Sequence, residues 1–138
     1  GFVQSVKYLM DTHILIWLAI SPDKVSKEIL SVVEDPKNEL FISTVSLWEI
    51  AIKISIGKLC LNGLDIPQII DFCRLHNIQI AQLSESATIE YARLPKKENH
   101  KDPFDRILIS ICIASGWTFL SADTKIEQYK NNGLAFIS

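Results

Sequence analysis

Long hydrophobic runs, paired cysteines and a positive net charge are missing from this sequence, and each absence closes off a class of protein. The longest unbroken apolar stretch, Ile14 to Ile20, falls well short of the roughly 20 residues that cross a bilayer. Asp11, Thr12 and His13 interrupt the apolar character just before it, which excludes a signal peptide there. Cys60, Cys73 and Cys112 are odd in number and far apart, so neither a disulfide framework nor a zinc cage is expected. They are expected instead as reduced thiols filling apolar space in a cytoplasmic protein. A net charge of −2 lacks the basic footprint of an ordinary nucleic-acid binder. Met10 is the only methionine, and residues 1–6 are set apart as an N-terminal extension, leaving 7–138 as one domain.

What is present suits a folded α/β protein. A chain of 138 residues can bury a sizeable core, and 48% hydrophobic with 22% charged residues separates it from disordered chains. There is no internal repeat and no low-complexity linker. Short β-like runs are expected at 8–10, 40–43, 78–80, 118–121 and 134–136. Helical runs are expected from Asp11 through 14–20, then over 24–33, 46–56, 66–75, 84–93 and 103–115, with a short helix after Asp123. Pro67 and Pro103 stand near helix starts, while Gly57 and Gly116 stop helices. Strands separated by helices predict a single α/β domain with a parallel sheet of about five strands and helices on both faces. In such sheets the ligand site lies beyond the carboxyl ends of the strands.

Four acids are placed where that rule makes them informative. Asp11 directly follows the first strand, and Asp123 follows the fourth; either alone could simply cap a helix. Glu49 sits in a helix with Leu47, Trp48, Ile50, Ala51, Ile52, Ile54 and Ile56, apolar on nearly every face and therefore expected to be largely buried. A buried carboxylate is costly unless a partner or metal compensates it, and Lys53, four residues on, is the ordinary partner. Asp105 opens the helix after Pro103, with Asp102 the better capping candidate and an auxiliary metal contact. Oxygen ligands of this kind suit Mg²⁺ or Mn²⁺, one or two ions that could activate water against a phosphodiester. The same acids account for the charge, since removing four from the count leaves −2 + 4 = +2.

Tyr8-Leu9-Met10-Asp11-Thr12-His13, the run Ser43 to Lys53 containing Trp-Glu-Ile-Ala-Ile-Lys, His100-Lys101-Asp102-Pro103-Phe104-Asp105-Arg106, and Ser121-Ala122-Asp123 occur in that order along the chain. Together they resemble PIN domains, and within them the toxin subunits of VapBC-type toxin–antitoxin pairs. The resemblance implies that Asp11, Glu49, Asp105 and Asp123 are both catalytic and metal-binding. It further implies Mg²⁺- or Mn²⁺-dependent RNA cleavage, a homodimer and a small antitoxin partner.

Around these acids, Thr12 and Ser121 are auxiliary candidates that would orient a carboxylate or a water. Lys53, His100 and Arg106 are candidate phosphate contacts, with Arg93, Lys96, Lys97 and Lys101 nearby in sequence. Trp17, Trp48 and Trp117 are expected as core or dimer contacts. An aspartate-nucleophile phosphatase would want Asp-x-Asp, and position 13 is His. The remaining alternative is a PIN fold acting as an RNA-binding or interaction module without a toxin's role.

Overall fold

The computed structural model describes residues 6–138, so most of the expected N-terminal extension lies outside the described residues. The chain runs β1 (Lys7–Met10), α1 (Thr12–Ile20), a 3₁₀ turn (Pro22–Lys24), α2 (Lys27–Glu34), β2 (Glu39–Ser43), α3 (Thr44–Ser55), α4 (Ile66–Leu75), β3 (Ile78–Ala81), α5 (Glu85–Arg93), α6 (Pro103–Ser115), β4 (Thr118–Leu120), a 3₁₀ segment (Thr124–Asn132) and β5 (Ala135–Ile137). All the pairings are parallel, in the order β3-β2-β1-β4-β5. The chain builds outward from β1 on one side and then returns to add β4 and β5 on the other. The reversal falls between β1 and β4, where open α/β sheets form their ligand crevice.

Successive strand residues point to opposite faces, and both faces are covered. Tyr8 and Met10 join Leu40, Ile42 and Ile78 under α1 to α4, with Ile14, Leu15, Ile29, Ile50, Ile69 and Cys73. Leu9 and Phe119 face the other way, onto α5, α6 and the 3₁₀ segment, through Ala87, Leu108, Ile109, Cys112, Ile126 and Tyr129. Trp117 stacks on Phe41 at 4.2 Å, and Trp17 packs against the first of these cores. Among the described residues, no helix is long and apolar enough to cross a membrane.

Several boundaries differ from expectation for local reasons. The helix expected over 24–33 is divided, because Ser26 accepts from the Ile29 N–H at 3.2 Å and starts α2 afresh at Lys27. Ser43, at the end of β2, caps α3 through Val45 N–H and brings its start forward to Thr44. The expected helix after Asp123 is 3₁₀, and the last strand lies one residue later than expected. The largest correction concerns α3, which is not buried all round. Val45, Ser46, Glu49 and Ile50 face inward, whereas Trp48 (67% exposed), Ile52 (41%) and Ile56 (57%) form an apolar outer stripe. Cys73 and Cys112 are buried as expected, but Cys60 is exposed.

Candidate active site

Two carboxylates are buried at the carboxyl end of β1. Asp11 occupies the N-cap position of α1, yet its side chain caps nothing. Its main chain belongs to the sheet edge, with Asp11 N–H donating to Leu120 C=O at 2.8 Å. Oδ2 accepts from Ser121 Oγ at 2.6 Å, while Oδ1 is buried without a partner. Burial pushes this carboxyl above its ordinary range, against the opposing effects of the Ser121 hydrogen bond and the His13 charge. Glu49 reaches the same region from the inner face of α3, only 1% exposed. Lys53 Nζ donates to its Oε2 at 2.5 Å, so the expected helical pair exists, but Oε1 remains buried and unpartnered. Burial works against the Lys53 charge, but the bond to Glu49 and the negative charges of Glu49, Asp102 and Asp105 hold the ammonium above its usual range. Thr12 Oγ1 donates to Ser46 Oγ at 2.8 Å, tying the start of α1 to α3.

Two further acids arrive from other elements. Asp105, in the first turn of α6, has its carboxyl pushed up to about 7, first by burial and then by the like charges of Asp11, Asp102, Glu49 and Asp123. That electrostatic coupling shows that the four candidate acids converge. Asp123 caps the 3₁₀ segment, accepting from Lys125 N–H with Oδ1 at 2.9 Å. Its other oxygen, Oδ2, lies 3.3 Å from His100 Nε2, and Asp105 Oδ2 lies 3.7 Å from the same nitrogen. Ser121 links the two strand-end acids: its hydroxyl donates to Asp11 and accepts from Asp123 N–H at 3.1 Å.

The other candidates divide sharply. Asp102 is exposed and caps α6 through Phe104 N–H at 2.9 Å, the structural task expected of it. Lys53 lines a cleft of about 270 Å³ with Glu49, Thr12, His13 and Lys58. Arg106, expected at the surface against phosphate, is instead turned inward and 8% exposed. Its guanidinium donates to Leu94 C=O, Pro95 C=O and the Tyr129 hydroxyl. Those acceptors on the chain before α6 hold it, so it is a poor phosphate contact. His100 is likewise buried, with Nδ1 2.8 Å from Tyr129 Oη. Tyr129 had no signal in the sequence: it enters from the 3₁₀ segment, 29 residues after His100. Ser46 was equally hidden, a small polar residue in an apolar helix.

The arrangement fits divalent metal. Transferring an ion from water into a protein interior costs several kcal/mol even after relaxation, against a typical total stability of about 5–15 kcal/mol. Two buried carboxylates, each with one unpartnered oxygen, plus two acids on the same crevice, are an oxygen-rich donor set of the type hard cations take. Asp11, Glu49, Asp105 and Asp123 would hold it.

The PIN domain family matches residues 8–132 of the chain. Among solved structures, it is similar to VapBC2 from Rickettsia felis bound to a DNA fragment from its promoter, with a TM-score of 0.69, 20% identity, and coverage of 96% of this chain and 98% of that one. It is similar also to VapBC-1 from nontypeable Haemophilus influenzae, with a TM-score of 0.68, 19% identity, and coverage of 96% and 98%. VapBC-5 from Mycobacterium tuberculosis, a member of the VapBC family of toxin–antitoxin systems, gives 0.62 at 11% identity, with coverage of 96% and 98%. At these identities the likeness establishes the fold. Comparison with curated proteins finds no match.

Proposed function

The chain belongs to the PIN-domain family, and from that premise we propose that it is a metal-dependent endoribonuclease, the toxin of a type II toxin–antitoxin pair. PIN domains are in general nucleases that use divalent metal. The observation that carries the proposal is the pair of unpartnered buried oxygens, Asp11 Oδ1 and Glu49 Oε1, beside an Asp105 whose carboxyl titrates near neutrality because its neighbours are acids. Bound Mg²⁺ or Mn²⁺ would supply Lewis-acid stabilisation of the phosphate and an activated water.

The protein's own groups prepare that chemistry. Ser121 holds Asp11 in one rotamer and leaves its second oxygen free. Lys53 does the same for Glu49, and its ammonium, partly exposed at the cleft, adds positive charge where a phosphate would enter. On the other side, a cleft of about 570 Å³ is lined by Lys96, Lys97, Lys101, His100 and Tyr91, a basic approach for a polyanion such as RNA. The apolar stripe of Trp48, Ile52 and Ile56 suits protein partners, which we assign to a second copy and to a small antitoxin. The solved relatives named above are VapBC complexes, which supports that assignment. Free thiols, one of them exposed, agree with a reducing cytoplasm.

Incubating the purified chain with single-stranded RNA tests the reading. Cleavage should require Mg²⁺ or Mn²⁺, stop with EDTA, and be lost in a folded Asp11→Asn variant. Metal-independent cleavage, or none under any metal while RNA still binds, would leave the non-catalytic binding module as the better account.

A further inference from the structure

We propose that His100 is itself a metal ligand, forming with Asp105 and Asp123 a mixed nitrogen–oxygen site that takes a transition-metal dication in preference to Mg²⁺. The inference rests on the carboxylate cluster described above and extends it with a ligand of different chemistry.

The His100 side chain is 3% exposed, and its Nε2 is one of the few buried polar atoms among the described residues with no hydrogen-bond partner. It is aimed at two carboxylate oxygens, and ligand atoms of His100, Asp105 and Asp123 all lie within 4.8 Å of one another. The spacing decides between readings. A charge-assisted N–H···O bond from an imidazolium would close to about 2.7–2.9 Å, whereas the observed separations are 3.3 and 3.7 Å. Ligand bonds of about 2.0–2.2 Å around a common ion place neighbouring donors roughly 3–3.5 Å apart. The gap is too wide for direct hydrogen bonds and suits a shared cation.

The rest of the ring's surroundings are built for ligation. Nδ1 is engaged by the Tyr129 hydroxyl at 2.8 Å, and Arg106 donates to that same hydroxyl at 3.1 Å. A ring clamped through one nitrogen presents the other in fixed orientation, the usual arrangement behind a metal-bound histidine. Asp123 is divided in the same way, with Oδ1 capping the 3₁₀ segment and Oδ2 facing His100. Imidazole shifts selectivity away from Mg²⁺, which prefers oxygen, toward Co²⁺, Ni²⁺ or Zn²⁺. Arg106, inward and unavailable to phosphate, thereby acquires a role: it holds Tyr129, which holds the ligand.

The test is direct binding of Co²⁺ and of Mg²⁺ to the full chain by calorimetry, with the visible spectrum of bound Co²⁺ as a second readout. His100→Asn keeps an atom for Tyr129 but ends short of the carboxylates, while His100→Gln reaches them with an oxygen. We expect wild type to bind Co²⁺ at least about tenfold tighter than Mg²⁺, and both variants to lose about tenfold or more in Co²⁺ affinity, the scale on which shell residues act. Their Co²⁺ spectra should change, and Mg²⁺ affinity should move less than about threefold. Tyr129→Phe should weaken Co²⁺ in the same direction by less, and it decides the matter if the His100 variants fail to melt cooperatively. Folded variants with unchanged Co²⁺ affinity and spectrum overturn the His100 assignment while leaving the four acids intact. Equal loss of both ions also overturns it, showing a purely structural histidine. Wild type that binds neither ion overturns the carboxylate cluster as well.

Discussion

Asp11 and Asp102 stand in the same local position, each an extended residue immediately before a helix, and the structure uses them in opposite ways. Asp102 is exposed and its Oδ1 accepts from Phe104 N–H, an ordinary cap. Asp11 makes no capping bond; its carboxylate is turned to Ser121 with one oxygen left bare in the interior. The helix it precedes forgoes a side-chain cap, and the fold carries a buried charge instead. An aspartate at a helix start is thus ambiguous in itself, and what separates the two is which groups from distant elements meet it.

The widest separation should appear in catalysis. Asp11→Asn should lower RNA cleavage by about 10²–10³-fold, the scale on which removing one preorganised electrostatic group acts. Asp102→Asn, which keeps a good cap, should leave the rate within a few-fold. Initial rates on a labelled single strand with Mn²⁺ measure both, and comparable losses would erase the distinction between the two positions.

Stability should move in the opposite sense. Asp102→Ala removes a cap and should cost about 1 kcal/mol. Asp105→Asn should instead melt higher than wild type in EDTA, because it removes a carboxylate crowded by four others. Paired thermal melts read this directly, and a lower melting temperature for Asp105→Asn would mean that its charge is compensated within the fold.

A smaller effect lies in pH. With its folded value raised to about 7 from an unfolded 3.8, Asp105 binds its proton more tightly in the native state. Its contribution to metal-free stability is therefore full below about 4 and lost as pH rises to about 7. Wild type in EDTA should weaken across that window, and Asp105→Asn should flatten the slope; identical pH profiles would show that the acids are not coupled.

The smallest test applies the same lesson to the thiols, three residues alike in sequence. Burial pushes the Cys73 thiol up to about 11 and raises that of Cys112 further, whereas Cys60 is exposed. Native alkylation at neutral pH should modify Cys60 alone, counted by intact mass. Labelling of Cys112 without denaturant would show that α6 opens.

Much of this was readable from residues in order. A short apolar run followed by Asp is a local pattern, so β1–Asp11 and the edge position of Asp123 could be anticipated, as could α4 and α6, bounded by Asp65 with Pro67 and by Asp102 with Gly116. Glu49 was legible as a buried acid, though for a partly mistaken reason. The apolar outer stripe of α3 made the helix look wholly internal, yet Trp48 and Ile56 are on the surface. His100 and Arg106 were misjudged because their partners lie elsewhere: a polar side chain beside a lysine-rich loop looks solvent-facing until Tyr129 arrives from the 3₁₀ segment to hold it. Pairwise contacts across such distances leave no trace in local periodicity.

The hydrogen bond from Ser121 to Asp11 joins residues 110 positions apart, at the seam where the last-made strands settle beside the first. A chain growing from its N-terminus on the ribosome therefore emerges with Asp11, Glu49 and Asp105 already made but with nothing to arrange them. Only when β4 closes the long loop against β1 does the carboxylate gain its orienting hydroxyl and its fourth acidic neighbour. Nascent and truncated chains are consequently inert. A cell making such an enzyme gains an interval, set by translation and closure of the sheet, in which a partner can be present before the activity is.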